Sequence, residues 1–204
     1  MRNKIGGIVL CGGRSSRMGR PKAWLPFGQE VLLQRAVRLL GQVVEPVVVV
    51  AAPAQHLPDL PPDVLVVRDE QEHLGPLAGL AGGLAALRNK ADAAYLSACD
   101  VPFLQPAFVT RIISYLAFAP VVMPQVQGRL HPLAAGYGLE ALPAAQHLLR
   151  EGRLRPVFLC DALPTRIIAE SELAEVDPQF LSLRNLNTPE DYDQALRDAQ
   201  HLTT

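Results

Sequence analysis

Residues 6–22 read GGIVLCGGRSSRMGRPK and carry an apolar strand directly into a glycine-rich loop dense in cations. Ile8 to Leu10 can bury a strand. Gly12 and Gly13 lack the Cβ that would keep a ligand away from the backbone, so their amides can face phosphate oxygens. Arg14, Arg17, Arg20 and Lys22 then place four cationic side chains within nine residues. That crowding is unfavourable in a folded chain unless an anion or solvent compensates it, and a polyphosphate is the obvious compensator. A solvated turn after an edge strand is the alternative. The loop opens right after the first apolar strand, where open α/β sheets bind nucleotides, and this favours the ligand reading.

Two familiar phosphate loops do not fit. GxxxxGK[ST] fails because Gly13 and Gly19 are six apart and Arg20-Pro21 follows where Lys and Ser/Thr belong. GxGxxG fails because Gly12 and Gly13 are adjacent. The remaining pattern, LxGGxSxRMGxPK, resembles the signature loop of nucleotidyltransferases that activate a nucleoside triphosphate for transfer to a phosphate acceptor.

The chain has 204 residues, 49% of them hydrophobic and 19% charged, enough for a substantial core in a single domain spanning 1–204. Net charge is −1, so no global basic field points to nucleic acid or an anionic membrane. No apolar stretch approaches the roughly 18 residues of a membrane span, and no signal-peptide h-region follows the N-terminus. The expectation is a cytoplasmic protein. Cys11, Cys99 and Cys160 form no CxxC pair and are odd in number, which argues against a disulfide framework or a structural zinc site.

Strand-like and helix-like runs alternate through the first 120 residues, the pattern of βαβ units. Ile5 to Leu10, Pro46 to Ala52, Val64 to Val67 and Ala93 to Ala98 read as strands. Leu32, Leu33, Ala36, Val37 and Leu40 recur at helical spacing, and Leu77 to Leu87 reads as a helix. Gly79, Gly82 and Gly83 weaken that helix by ~1 kcal/mol each unless close packing compensates. Beyond residue 120 the pattern changes to added strands or a hairpin, Val121 to Met123 and Gln125 to Tyr137, turning at Gly128-Arg129. Leu139 to Glu151 reads as a helix and Thr165 to Ile168 as a strand. Thr188, Pro189 and Asp191 mark the start of a last helix ending near Gln200. The fold expected is α/β: an open, mostly parallel, doubly wound (Rossmann-like) sheet with a small antiparallel addition in the C-terminal half.

Asp100, in SACDVPFL, stands at a strand end where Val-Pro halts the strand, and is the first choice as a metal ligand. Mg²⁺ takes one or two carboxylates plus substrate phosphates. A cap on the helix beginning near Pro106 is the alternative. Asp69 ends the preceding strand in the same way, and two strand-end carboxylates on one sheet edge favour a site over a turn aspartate. Gly75 and Pro76 open a helix whose free amides and dipole favour anions or an electron-rich base edge. His131, before a proline, is balanced between site and turn. Asn185 and Asn187 place amides just before a helix start, where isolated asparagines also serve as turn formers. Arg153 and Arg155 can meet a phosphate or decorate a helix end.

LCGGRSSRMGRPK, VVRD followed by HLGPLAGL, ACDVPFL, HPLAAGY and LRNLNTPEDYDQAL occur in the order seen in molybdenum cofactor guanylyltransferases, and the chain resembles that family over nearly its whole length. The resemblance implies the nucleotidyltransferase version of the doubly wound fold. It also implies a reaction in which GMP from GTP joins the terminal phosphate of molybdenum-bearing molybdopterin, releasing pyrophosphate with Mg²⁺. It makes Leu10, Cys11, Gly12, Gly13, Asp69 and Gly75 nucleotide-binding. Lys22 becomes the phosphate-binding lysine assisted by Arg17, and Asp100 the Mg²⁺ ligand. Asn185, Asn187, Arg153 and His131 fall on the acceptor side. The partners implied are GTP and the molybdopterin-molybdenum cofactor, with cofactor-donating and molybdoenzyme-side proteins beyond them, and neither nucleic acid nor membrane.

Two departures bear on base choice. Arg20-Pro21-Lys22 stands where many guanylyltransferases have Asp before Lys, and Ala51-Ala52-Pro53 where the family commonly has a nucleotide-contacting asparagine. Attachment of CMP to the cofactor, nucleotide transfer to a sugar phosphate, and a noncatalytic nucleotide or cofactor carrier are the rival readings.

Overall fold

The computed structural model describes residues 4–12, 18–68 and 75–202. In chain order the elements are β1 (Ile5–Leu10), β2 (Pro26–Phe27), β3 (Glu30–Val31), α1 (Leu32–Gly41), β4 (Val47–Ala51), β5 (Leu65–Arg68), α2 (Gly75–Ala86) and β6 (Ala93–Ala98). Next come α3 (Pro106–Ser114), β7 (Val121–Val126), β8 (Arg129–Leu130), β9 (Ala135–Gly138), α4 (Ala141–Arg150), α5 (Leu159–Ala162), β10 (Thr165–Ile168), α6 (Glu170–Ala174) and α7 (Pro189–Leu202).

The main sheet runs β10-β7-β9-β6-β1-β4-β5, with β8 paired to β7. β5, β4, β1 and β6 are mutually parallel, as are β7 and β10, while β9 enters antiparallel between β6 and β7. The chain leaves β1 toward β4 on one side and returns to β6 on the other. β1 is thus the point where strand order reverses, and ligands bind outside the carboxyl ends of strands at such a point.

Period-two patterning explains why helices cover both faces. Val9, Val47 and Val49 join Leu33, Ala36, Val37 and Leu40 of α1 and Phe108, Val109 and Ile112 of α3 in one buried layer. Ile8, Val48 and Val50 point the other way, into Leu77, Leu80 and Leu84 of α2 and Leu142, Ala145 and Leu148 of α4. A strand apolar on both faces is what a sheet buried between two helical layers requires. The glycines of α2 serve the same packing: a Cβ on Gly83 would lie 2.7 Å from the Ile8 side chain, and one on Gly79 2.8 Å from that of Leu10.

The expected hairpin is present in altered form. β7 turns through Gln127 and Gly128, with φ of 49° and 71°, one residue earlier than Gly128-Arg129. Two consecutive left-handed residues suit the twist of a tight hairpin. The remainder of the predicted segment does not extend that hairpin; it becomes β9 and pairs with β6. A two-stranded ribbon, β2–β3, was not foreseen, since strands of two residues carry no period. A third cluster joins this ribbon to the C-terminal helix through Leu25, Phe27, Leu32, Phe103, Leu186 and Ala195. No helix among the described residues is long and apolar enough to cross a membrane.

Candidate functional site

Asp100 follows β6 by two residues and is 7% exposed, held by contacts from two other segments of the chain. Lys22, on a short 3₁₀ turn after the glycine-rich loop, places Nζ 2.5 Å from Oδ2 of Asp100. Asn185 donates from Nδ2 to the other carboxylate oxygen, Oδ1, at 2.8 Å. The Asp100 carbonyl accepts the amide of Leu186 at 3.0 Å, which pins the 185–187 segment to the strand end. Lys22 also donates to Oδ1 of Asn187 at 3.3 Å. A cation, a carboxylate and two carboxamides from distant parts of the sequence therefore meet at the carboxyl edge of the sheet.

The last helix supplies the asparagines through its cap. Thr188 Oγ1 accepts the Asp191 amide at 3.1 Å, while Asp191 Oδ2 accepts the amides of Thr188 at 2.9 Å and Asn187 at 3.0 Å. These backbone donors hold the Asp191 carboxyl below its ordinary range. The cap foreseen from Thr188, Pro189 and Asp191 is the device that presents Asn185 and Asn187.

Beside this cluster, Leu10 ends β1, and Cys11 and Gly12 follow it. Leu10 packs its side chain on the α2 layer, and Cys11 is buried against Cys99. Cys99 donates its thiol proton to Cys11, which lowers the Cys11 thiol against the opposing effect of burial, with help from Gln55 and Arg68. Cys99 is itself pushed well up, by that hydrogen bond and by burial. Gly12 lies so close to β4 that a Cβ there would be 3.2 Å from the Ala52 nitrogen. Gly13, Arg17 and Asp69 lie outside the described residues.

The other expected residues sit apart from Asp100 in their contacts. Gly75 opens α2 with φ of +71°, and a Cβ there would be 2.9 Å from the Leu154 carbonyl. Close approach of the 153–155 segment thus requires glycine at this position. Arg153 pairs with Asp161 at 2.9 Å and lies over the Phe158 ring at 4.3 Å. His131 follows β8, with its amide on the Pro124 carbonyl, and burial followed by the charge of Arg129 lowers its pKa. Gln55 and Arg68, both engaged with the β1–β4 edge, were not singled out from sequence. No periodicity marks them, and Arg68 enters the VVRD motif only as the neighbour of Asp69.

Among the described residues no group of three or more His, Cys, Asp or Glu side chains is placed to hold a metal. The oxygen set at Asp100 nonetheless fits Mg²⁺, because Asp100 Oδ2 and Asn187 Oδ1 already converge on one cation, the Lys22 ammonium. Hard oxygen donors, with few protein carboxylates and substrate phosphates completing the shell, are what Mg²⁺ takes.

A doubly wound sheet whose switch point sets the end of its first strand beside a lysine and a strand-end aspartate is the framework of a nucleotidyltransferase. The comparisons make the assignment specific. The chain belongs to the MobA-like NTP transferase family, whose domain matches residues 7–165. It is 36% identical over 198 residues to the "Probable molybdenum cofactor guanylyltransferase" of Mycobacterium ulcerans, covering 95% of this chain and 94% of that protein. The protein of the same name from Mycobacterium bovis is 40% identical over 163 residues, covering 78% of this chain and 80% of the relative. The fold is that of molybdopterin-guanine dinucleotide biosynthesis protein A from Archaeoglobus fulgidus, with a TM-score of 0.79 at 19% identity over 96% of this chain and 99% of that one. It is also that of 2-C-methyl-D-erythritol 4-phosphate cytidylyltransferase from Thermus thermophilus, with a TM-score of 0.71 at 16% identity over 95% and 98%.

Proposed function

We propose that this nucleotidyltransferase moves GMP from GTP onto the terminal phosphate of molybdenum-bearing molybdopterin, releasing pyrophosphate and forming the guanine dinucleotide of the cofactor. The observation that carries the reading is the convergence of Lys22, Asp100, Asn185 and Asn187 beside the end of β1. Relatives that share 36–40% of its sequence and bear the guanylyltransferase name support it.

An acceptor phosphate oxygen attacks the α-phosphorus in line, a new P–O bond forms, and the bond to pyrophosphate breaks. The attacking phosphate is already ionised near neutral pH, so positioning and charge neutralisation do the catalysis. The amides of Gly12 and Gly13 approach the phosphates, and Lys22 with Arg17 neutralises charge on the departing pyrophosphate. Asn185 and Asn187, held beside Asp100, orient the acceptor. Mg²⁺, held by Asp100, would supply further positive charge at the phosphate oxygens when bound.

Pyrophosphate release by purified protein, measured with Mg²⁺ and each nucleoside triphosphate in turn, with and without molybdenum-bearing molybdopterin, tests the proposal. The expected result is release that needs both GTP and the cofactor. Release with CTP in place of GTP would move the reading to cytidylyl transfer, and nucleotide binding without release would make the chain a carrier.

A further inference from the structure

The β1–β4 ladder ends in an unusual way. Gly7 and Cys11 donate to the carbonyls of Pro46 and Val50, with Cys11 at 2.8 Å, in the regular two-residue rhythm of a parallel pair. The next rung of that ladder would run from the Ala52 amide to the Cys11 carbonyl. It is replaced by a side chain. Ala52 donates instead to Oε1 of Gln55 at 3.1 Å, and Gln55 Nε2 donates to the Cys11 carbonyl at 3.1 Å. The carboxamide thus stands in the ladder like an extra peptide unit and keeps the two strand ends apart by its own width. Its second Nε2 contact is the Cys11 sulfur, also at 3.1 Å.

Gln55 is fixed at its main chain as well. Its amide donates to the Ala52 carbonyl at 3.2 Å, closing a tight turn. Arg68, at the end of β5, clamps that turn by donating from Nη1 to the Gln55 carbonyl at 2.5 Å and the Ala52 carbonyl at 3.2 Å. Gly12, the residue at which β1 turns into the phosphate loop, rests against the same Ala52 nitrogen.

We propose that Gln55 is a positioning residue for the nucleoside triphosphate: its carboxamide props open the mouth between β1 and β4 and so sets where Gly12 meets the nucleotide. This rests on the nucleotidyltransferase reading but not on the identity of the acceptor. If the carboxamide is lost, the Ala52 amide and Cys11 carbonyl can pair directly, and the mouth closes by one rung. Glu in its place still accepts from Ala52 but, when ionised, cannot donate to Cys11; protonated, it can.

Calorimetric titration of the purified protein with Mg·GTP and Mg·CTP, without molybdopterin, tests this in the wild type, Gln55→Leu and Gln55→Glu. Gln55→Leu is expected to weaken binding of the preferred nucleotide by about tenfold, the weight of one or two hydrogen bonds, and in turnover to raise KM more than it lowers kcat. Gln55→Glu is expected to bind weakly at pH 8 and to regain affinity relative to wild type as the pH falls toward 5. A Kd within twofold of wild type for a folded Gln55→Leu, or a Gln55→Glu to wild-type affinity ratio independent of pH, would overturn the inference. Normal pyrophosphate release with some other acceptor would correct the proposed reaction and leave Gln55 untouched.

Discussion

Asp100 is the residue on which the most contacts of the site depend. Each carboxylate oxygen has a different partner, Lys22 on one and Asn185 on the other. Asp100→Asn keeps an oxygen that can accept from Asn185 but turns an amide donor toward Lys22, so it removes both the charge and the acceptor there, and the Lys22 ammonium, on a flexible stem, is left to turn to solvent. Turnover is expected to fall at least about a hundredfold, the cost of removing one electrostatic stabiliser, while the melting temperature stays near that of the wild type. Lys22→Met is expected to cut turnover as severely and also to lower the melting temperature, because the carboxylate it strands belongs to a buried residue. Equal melting temperatures for the two variants, or near-normal turnover in either, would contradict these roles. Asp100 and Lys22 were legible in the sequence because each ends or follows a recognisable strand or loop. Gln55 was not, since its role depends on which backbone groups lie across from it. Arg153, a cofactor-side candidate from sequence, is paired with Asp161 and lies over Phe158. Nothing in its neighbourhood in sequence distinguishes these uses.

At the scale of elements, α2 shows how packing overrides intrinsic preference. Its glycines disfavour a helix, yet the described helix runs from Gly75 to Ala86, because the missing Cβ atoms of Gly79 and Gly83 let it settle onto the central strands. The two tightest positions are not equivalent. A Cβ on Gly83 would come within 3.0 Å of three atoms of Ile8, a wholly buried residue of β1, whereas one on Gly79 would do so only with a terminal methyl of Leu10. Gly83→Ala is therefore expected to be less stable than Gly79→Ala by about 1 kcal/mol, the lower end of an overpacking cost. Urea denaturation of the two variants measures the difference, and a more stable Gly83→Ala would show that the helix shifts at no cost. The β7–β9 segment makes the opposite point. Its hairpin turn is local chemistry in Gln127 and Gly128, but the placement of β9 between β6 and β7 is not local at all.

Across the whole molecule, the C-terminal helix closes the chain back onto its beginning. Leu186 and Ala195 pack with Leu25, Phe27 and Leu32, and Tyr192 Oη donates to the Pro26 carbonyl at 2.5 Å. The hinge of this closure is the Asp191 cap, whose carboxylate holds the amides of Asn187 and Thr188. A carboxyl lowered from its ordinary 3.8 contributes stability that is complete above that value and is lost as the pH falls through the lower folded value. Asp191→Ala is accordingly expected to lose about 1 kcal/mol near neutral pH, a deficit that shrinks toward zero in acid. Thermal melts of both proteins from neutral pH down to about pH 3 check the sign; a deficit that grew in acid would refute it. By itself the sequence determined the alternation of strands and helices, the strands buried on both faces, the cation-rich loop after β1 and the cap of α7, because each is written in residues close together along the chain. Only the tertiary structure decided that β9 runs antiparallel inside the sheet, that Lys22, Asp100 and Asn187 meet at one point, and that Gln55 completes a rung between β1 and β4. Those outcomes depend on strand order and on contacts across long separations, where the free energy lies in pairing and packing and not in any local pattern.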